Sequence, residues 1–277
     1  MGTGPSDSPA ELTGPVPVGS VRLEKRLNER FVKAMATYHL IEDDDRILVG
    51  LSGGKDSLLL LELLAKRAKI EHPRFSVEAL HVRMENIHYE TDTSYLQSFC
   101  DNLGVPLHVR TTRFEVEQVE QVEYAAVPQQ QSSSARLRKQ KQPCFLCSWN
   151  RRKQLFNLAQ ELGCNKIALG HHQDDILHTA LMNLTFQGRF GSMPARLKMR
   201  KMPLTIIRPL CMIEEQDIRT YAELQGYQKQ QKRCPYETDS HRSDIKRLYE
   251  EIERINPEAR YSMWNALNAD NKLIEET

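Results

Sequence analysis

The feature that most constrains the fold of this chain is an apolar segment that runs into a glycine turn and then into a run of leucines. Residues 47–51 are Ile-Leu-Val-Gly-Leu, and they are followed by Ser52, Gly53, Gly54, Lys55, Asp56 and Ser57. This order predicts a buried strand, a tight turn and a helix. Glycines let the backbone approach a ligand closely, and the first N–H groups of a helix favour an anion. We therefore expect residues 52–57, the glycine loop, to bind a phosphate or a pyrophosphate.

The spacing within the glycine loop differs from that of the two common nucleotide-binding motifs. Neither GxxxxGK[ST] nor GxGxxG is present. A plain turn followed by a helix that Ser52 caps is the structural alternative. Six specified residues directly after an apolar strand favour the phosphate site, in which Lys55 would neutralise phosphate charge.

Apolar segments of strand and helix type alternate along the chain with short links. This pattern predicts an α/β fold with an open, mostly parallel five-stranded sheet, flanked by helices and extended by N- and C-terminal helical additions. The predicted strands, the first taken together with its loop, are 46–56, 75–84, 107–112, 166–170 and 204–209. The predicted helices are 21–40, 57–68, 91–103, 148–162, one ending at about 184, 214–225, and a helical tail from 240.

Residues with functional side chains follow three of these strands. In an open parallel sheet, ligands bind beyond the carboxyl ends of the strands, and the glycine loop, His81 and the segment from Gly170 to Asp175 all lie at such ends. Asp56 and Asp175 suit Mg²⁺, which needs only one or two carboxylates beside the phosphates. The backbone around His81 is placed to meet the edge of an adenine. For Asp174 and Asp175, an acidic helix start is the alternative.

The six cysteines fall into two groups. Cys144 and Cys147 form a CxxC pair, which on its own is compatible with zinc, a cluster, a redox pair or no function, and Cys234 could supply a third ligand. Three thiolates are few for a structural zinc, which takes four ligands, and they suit an iron–sulfur cluster with one open iron. Spacing alone leaves both metals open. The cysteines whose context favours burial in the core are Cys100, Cys164 and Cys211.

The formal net charge of +1 hides two basic stretches. Residues 136–153 carry seven basic and no acidic residues, and residues 186–201 carry five and none. Basic runs are commonly solvated surface, but two of them flanking one candidate site favour a polyanionic partner such as RNA. No apolar run approaches the ~20 residues that cross a bilayer, and the N-terminus lacks an apolar signal segment. We therefore expect a cytoplasmic protein with no membrane partner.

Over roughly residues 22–267 the chain resembles the TtcA family, the tRNA 2-thiocytidine synthetases, which are PP-loop ATP pyrophosphatases. The segments that carry the resemblance are the glycine loop, Cys144 and Cys147 with Arg151 and Arg152 behind them, residues 169–175, and residues 188–194 before Ile-Arg-Pro-Leu at 207–210. The resemblance implies that the protein uses ATP to adenylate the C2 carbonyl of a tRNA cytidine and then replaces the oxygen by sulfur. It also implies a [4Fe–4S] cluster held by Cys144, Cys147 and Cys234, whose open iron carries the sulfide.

Composition and the resemblance together suggest a domain organisation and catalytic roles. We expect a disordered segment at 1–20, a PP-loop ATP pyrophosphatase domain at 21–227 with a mobile insertion at 115–143, and a C-terminal helical extension at 228–277 that carries Cys234. Asp175 would organise Mg²⁺ and the α-phosphate, while Lys55 and Cys147 would act in catalysis. Arg151 would stabilise developing charge or hold an RNA phosphate.

The chain departs from the family pattern in two places: one is near the third ligand, and the other is the linker at 115–143, which is longer than in a compact member. Familiar members carry a second CxxC near the third ligand, whereas Cys234 is followed here by Pro-Tyr-Glu. Three alternatives therefore stay open: a thiolase acting on tRNA uridine or thymidine, a ligase like the lysidine synthetases, and a non-catalytic iron–sulfur sensor that holds adenine nucleotide. The sulfur donor would be a cysteine desulfurase or free sulfide, and a homodimer is among the assemblies considered.

Overall fold

The structure is a computed structural model that describes residues 18–85, 92–113, 143–228, 241–269 and 271–275. Within these residues the chain forms one seven-stranded sheet with helices on both faces. The strands are β1 Asp45–Gly50, β2 Phe75–Met84, β3 Leu107–Thr112, β4 Lys166–Ala168, β5 Arg196–Lys198, β6 Thr205–Ile207 and β7 Ile274–Glu275. The helices are α1 Val18–Thr37, α2 Lys55–Ala68, α3 Thr93–Leu103, α4 Pro143–Glu161, α5 Gln173–Gln187, α6 Glu215–Leu224, α7 His241–Ile255 and α8 Ala259–Ala269.

The strand order is β3-β2-β1-β4-β6-β5-β7. The first three strands run outwards from β1 in parallel pairs, and the chain then returns to place β4 against the other side of β1, also in parallel. The order therefore reverses between β1 and β4. In open α/β sheets such a reversal opens a crevice at the carboxyl ends of the two strands, and ligands bind there.

The α/β class and the mostly parallel sheet are confirmed, but the predicted count of five strands is wrong. The two additional strands are β5, which pairs antiparallel with β6, and β7, which pairs parallel with β5. They contain only three and two residues, too few for an alternating pattern to show. Helix α4 also begins at Pro143, not at the predicted residue 148, so positions 144 and 147 lie inside the helix. Proline is common at the first position of a helix.

The sheet buries apolar residues on both faces, as a parallel sheet requires. In β1, Ile47 and Val49 join the larger core cluster with the leucines of α2, whereas Leu48 joins a second cluster with Leu158 of α4. Residues 57–65 of α2 are all buried. The central helix that follows the glycine loop is therefore fixed by packing along most of its length.

Several predicted segments lie wholly or partly outside the described residues. They are the N-terminal segment up to residue 17, most of the insertion at 115–143, and the stretch 229–240 that contains Cys234. Among the helices that the structure does describe, none combines the length and the apolar character needed to cross a membrane.

Candidate nucleotide-binding site

The glycine loop joins β1 to α2 in a narrow turn held by its own serines. Gly53 has a φ of 81°, a conformation that favours glycine. Ser52 Oγ accepts a hydrogen bond from the Gly54 amide at 3.3 Å and lies 3.1 Å from Ser57 Oγ, which donates to the Gly54 carbonyl at 2.9 Å. Helix α2 begins at Lys55, and the first N–H groups of a helix have no partner within it. This turn is therefore built to receive an anion.

The segment after β4 touches the glycine loop backbone to backbone. A Cβ atom at Gly170 would lie 3.1 Å from the carbonyl carbon of Asp56 and 3.2 Å from the Ser57 amide nitrogen. A side chain there would be crowded, because the neighbouring atoms belong to the backbone and cannot rotate away, so the two segments would have to move apart by a few tenths of an ångström. The two segments that the sequence predicted to converge are thus in contact at the reversal of strand order.

Lys55 lies between two carboxylates. Its Nζ is 3.0 Å from Asp56 Oδ1 and 3.3 Å from Glu215 Oε1. Burial lowers the pKa of the Lys55 ammonium, but Asp56 and Glu215 outweigh this and raise the pKa above its ordinary value. Lys55 therefore stays protonated at the start of α2, within the glycine loop, and its positive charge suits phosphate binding.

Asp174 and Asp175 have different surroundings. Asp174 is buried and accepts hydrogen bonds from Arg260 Nη2 at 2.8 Å and from the Glu215 amide at 2.7 Å. Burial opposes ionisation, but the nearby His172 imidazole, whose Nδ1 lies 3.6 Å from Oδ2, and the Arg260 guanidinium hold the pKa of Asp174 far below its usual range. The Asp175 side chain is 40% exposed and accepts a hydrogen bond from the His172 amide. Asp175 is the one that can reach a ligand.

His172 Nε2 lies 3.4 Å from Asp175 Oδ2 and 3.9 Å from Asp56 Oδ1. Burial lowers the pKa of His172, but Asp174, Asp175 and Asp56 outweigh it and raise the pKa above its ordinary value. The imidazole therefore favours its positively charged form, and the two carboxylates predicted to bind Mg²⁺ both lie near its Nε2 atom. The neighbouring His171 accepts a hydrogen bond from Arg208 Nε at 3.3 Å.

His81 is buried within β2, three residues before the end of that strand, and connects it to the residue that precedes the glycine loop. Its Nδ1 lies 2.8 Å from the Leu51 carbonyl, which can only accept, so Nδ1 carries the proton. Burial lowers the pKa of His81, and the Arg151 and Arg83 guanidiniums lower it further. The ring is therefore neutral, and its role here is to fix the backbone that enters the loop.

Helix α4 covers the carboxyl end of β1. A Cβ atom at Gly50 would lie 3.4 Å from Leu155 of this helix, and Arg151 is near enough to His81 to affect its pKa. Cys147 is half-buried near the start of the same helix. The structure thus places the helix of Cys147 and Arg151 beside the glycine loop, whereas the side chain of Cys144 and all of Cys234 lie outside the described residues. No cluster of three or more potential metal ligands is found in the part of the chain that is described.

The other three cysteines are buried, as predicted. Cys100 and Cys211 are fully enclosed and Cys164 is 5% exposed. Burial raises the pKa of the Cys100 thiol to about 11 and raises that of Cys164 and Cys211 as well. All three are therefore held as neutral thiols in the core.

Sequence reasoning missed three charged residues at the site. Glu215 opens α6 beside Lys55, Lys246 of α7 lies 2.9 Å from Glu215 Oε2, and Arg260 of α8 holds Asp174. The acidic start of the helix after β6 was a usable signal for Glu215. Lys246 and Arg260 come from surface-like stretches of the C-terminal helices and carry no such signal.

Comparison with known proteins decides the family. A family model described as a PP-loop domain matches residues 21–246. The chain is 35% identical over 248 residues to the tRNA-cytidine(32) 2-sulfurtransferase of Bordetella avium (strain 197N), covering 89% of this chain and 73% of that protein. It belongs to the tRNA-cytidine(32) 2-sulfurtransferase family of PP-loop proteins. The protein of that name from Verminephrobacter eiseniae (strain EF01-2) is 33% identical over 267 residues, which are 96% of this chain and 77% of that protein. The resemblance to the PP-loop tRNA sulfurtransferases is thereby confirmed.

A solved structure shares the fold. The U34-tRNA thiolase NcsA from Methanococcus maripaludis, solved with its [4Fe–4S] cluster, superposes with a TM-score of 0.67 over 92% of this chain and 81% of that chain, at 24% identity. At this identity the likeness establishes the common PP-loop architecture of the two chains.

Proposed function

We propose that this protein is an ATP-dependent tRNA sulfurtransferase that replaces the oxygen at C2 of a tRNA cytidine by sulfur. The observation that carries the proposal is the contact of the glycine loop with Gly170 at the reversal of strand order, in a chain of this sulfurtransferase family. This is where an open α/β sheet binds its ligand, and the start of α2 favours phosphate there.

The chemistry needs ATP because a pyrimidine carbonyl oxygen is a poor leaving group. In the first step the cytidine O2 attacks the α-phosphorus of ATP, and pyrophosphate leaves with the bonding electrons. In the second step a sulfide sulfur attacks C2, and AMP leaves with the former carbonyl oxygen. One ATP and one sulfide are consumed for each thiocytidine, with AMP and pyrophosphate as products.

The residues of the glycine loop would bind the phosphates. Amide groups of Gly53, Gly54 and the start of α2 would surround them, and Lys55 would leave its carboxylate partners to neutralise their charge. Asp56 and Asp175, which both lie near His172 Nε2, would hold Mg²⁺ against the phosphates. The backbone next to His81 would meet the adenine. Removal of one charge-stabilising donor in such a site costs on the order of 10²–10³ in rate.

Helix α4 would contribute residues that bind the tRNA and deliver the sulfur. Arg151 lies near the carboxyl end of β1, where it would stabilise charge on the adenylated base or hold an RNA phosphate. Cys147 lies near the start of the same helix, where it would take part in the delivery of sulfur. Both residues are on the same helix, so sulfur delivery and base activation would occur at one edge of the sheet.

The available cysteines fit a [4Fe–4S] cluster. Cys100, Cys164 and Cys211 are buried in the core, and the family resemblance assigns them no role in the cluster. This leaves Cys144, Cys147 and Cys234, and positions 144 and 147 are three residues apart within α4, a spacing that places two residues on one helix face. When bound by three thiolates, a cluster would supply an open iron for an exogenous sulfur ligand. We further propose free sulfide or a cysteine desulfurase as the sulfur donor and the cytoplasm as the location.

The first test is the metal content of the whole chain after anaerobic purification. Iron, acid-labile sulfide and zinc are measured per chain beside an absorption spectrum. About four irons per chain with equivalent sulfide would support the cluster and the thiolase. Zinc, or no metal, would contradict the cluster and favour persulfide chemistry on Cys147 or a ligase that needs no thiolate.

A further inference from the structure

Glu215 holds two lysines at the mouth of the glycine loop. Its Oε1 lies 3.3 Å from Lys55 Nζ, and its Oε2 lies 2.9 Å from Lys246 Nζ. The two ammonium groups come from different helices, α2 and α7, which are far apart in the sequence, and both contact this carboxylate. Lys55 also lies 3.0 Å from Asp56 Oδ1, so the two lysines are held at the start of a phosphate-binding helix by carboxylates that a phosphate group would replace.

The position of Lys246 is set by the core. In α7, Ile245 and Tyr249 are buried, and the Tyr249 ring packs edge-on against His178 of α5 with centroids 5.0 Å apart. Helix α5 begins at the candidate site, so its packing against α7 holds Lys246 beside that site. The Lys246 side chain itself is 42% exposed, and it therefore has room to turn towards a ligand.

We propose that Lys55 and Lys246 form a two-lysine subsite for the pyrophosphate portion of ATP, which Glu215 occupies when no nucleotide is bound. This inference rests on the proposed function, since it assumes that ATP binds at the glycine loop. It adds Lys246 as a second cation that binds the departing pyrophosphate. It also proposes that ATP displaces the Glu215 carboxylate from the two lysines.

The surroundings of Glu215 allow its side chain to move while its backbone stays. The Glu215 amide donates to Asp174 at 2.7 Å, which fixes the start of α6. Arg219, one turn further along α6, lies 3.3 Å from Oε1 and is able to keep the carboxylate when the lysines leave it. Pyrophosphate carries more negative charge than one carboxylate, so both lysines gain interaction energy by exchanging Glu215 for it.

The test is the binding of inorganic pyrophosphate and of AMP to the full chain by calorimetry, in EDTA so that no Mg²⁺ bridge contributes. Lys246→Ala is expected to weaken pyrophosphate binding about tenfold, the effect of one charge-assisted hydrogen bond, and to leave AMP binding unchanged. Lys246→Arg should restore most of the affinity. The matched control is Lys66→Ala, because Lys66 also bridges two carboxylates, Glu24 and Glu62, near the other end of α2.

The variant Glu215→Gln tests whether Glu215 competes with pyrophosphate for the lysines or only supports the structure of the site. If Glu215 competes with pyrophosphate, this variant binds pyrophosphate several-fold more tightly, whereas a structural role predicts weaker binding of both ligands. Unchanged pyrophosphate affinity in Lys246→Ala, or loss of affinity in Glu215→Gln, would overturn the inference while leaving the proposed function intact. If the unaltered chain bound neither ATP nor pyrophosphate, the proposed function itself would fail.

Discussion

The backbones of Gly170 and Asp56 approach so closely that a side chain at position 170 would be crowded. A Cβ atom at position 170 would lie 3.1 Å from the Asp56 carbonyl carbon, closer than ordinary van der Waals contact. The segment after β4 and the first turn of α2 are therefore pressed together, and this contact brings Asp175 and the glycine loop to the same crevice. The geometry of the phosphate site depends on it.

We expect Gly170→Ala to separate these segments and to weaken ATP binding at least tenfold. The added methyl group meets backbone, and relief of that overpacking costs about 1–3 kcal/mol of stability. Isothermal titration with ATP and a thermal melt measure the two effects. The control is Gly191→Ala, where the nearest contact of a Cβ atom is the flexible Arg189 side chain at 3.5 Å; equal losses in both variants would contradict the proposed importance of this contact.

Asp174 and Asp175 should respond differently to substitution. Asp174→Ala removes the buried acceptor shared by Arg260 Nη2 and the Glu215 amide, while Arg260 keeps its contact with Glu253. We expect it to destabilise the chain by about 3 kcal/mol. Asp175→Asn should change the free energy of unfolding by less than about 0.5 kcal/mol and lower the rate of tRNA-dependent pyrophosphate release. Denaturant unfolding and a pyrophosphate assay give the comparison. A stable but inactive Asp174→Ala variant would mean that the two roles are reversed.

Substitution should likewise distinguish a cysteine that binds the cluster from a cysteine that packs in the core. Cys147→Ala is expected to lose the iron and all thiolation, because two thiolates do not hold the cluster. Cys100→Ala should keep its iron and lose only about 1 kcal/mol of stability from the small cavity, since Cys100 is fully buried. Iron per chain after anaerobic purification is the readout, and loss of iron in Cys100→Ala would show that the ligand assignment is wrong.

Acid should destabilise the chain partly through Glu215. Burial opposes ionisation of this carboxyl, but Lys246 and Lys55 outweigh it and lower the pKa from 4.5 to about 2. As the pH falls through this interval the unfolded chain takes up the proton first, so the free energy of unfolding decreases. Glu215→Gln should show a shallower decrease between these pH values, measured by denaturant titration. An identical slope would mean that the lysine contacts do not stabilise the ionised carboxyl in solution.

The sequence predicted the structure best where specific residue types occur at specific positions in a local pattern. The glycine loop, the helix after it and the convergence of residues 170–175 on it follow from periodicity, turn chemistry and the rule for parallel sheets. The edge strands β5 and β7 could not be predicted, because strands of three and two residues have no pattern of their own. They form through pairing with distant parts of the chain.

The finer division of roles within the site also depended on tertiary contacts. Asp174 and Asp175 are adjacent acids in the sequence, and only the approach of Arg260 shows that the first supports the fold. Lys246 resembles any surface lysine until α7 is packed against α5. Both residues act through partners more than 30 positions away, and no local pattern encodes such pairings.

The central claim is tested most directly by nucleoside analysis of tRNA treated with the purified protein. The protein, loaded with its cluster under anaerobic conditions, is incubated with unmodified tRNA, sulfide and ATP, and the digested nucleosides are resolved by mass spectrometry. The account predicts 2-thiocytidine only when ATP is present, together with equal amounts of AMP and pyrophosphate, and none with Lys55→Ala. Thiocytidine formed without ATP, or pyrophosphate released from ATP and tRNA with no thionucleoside, would contradict it.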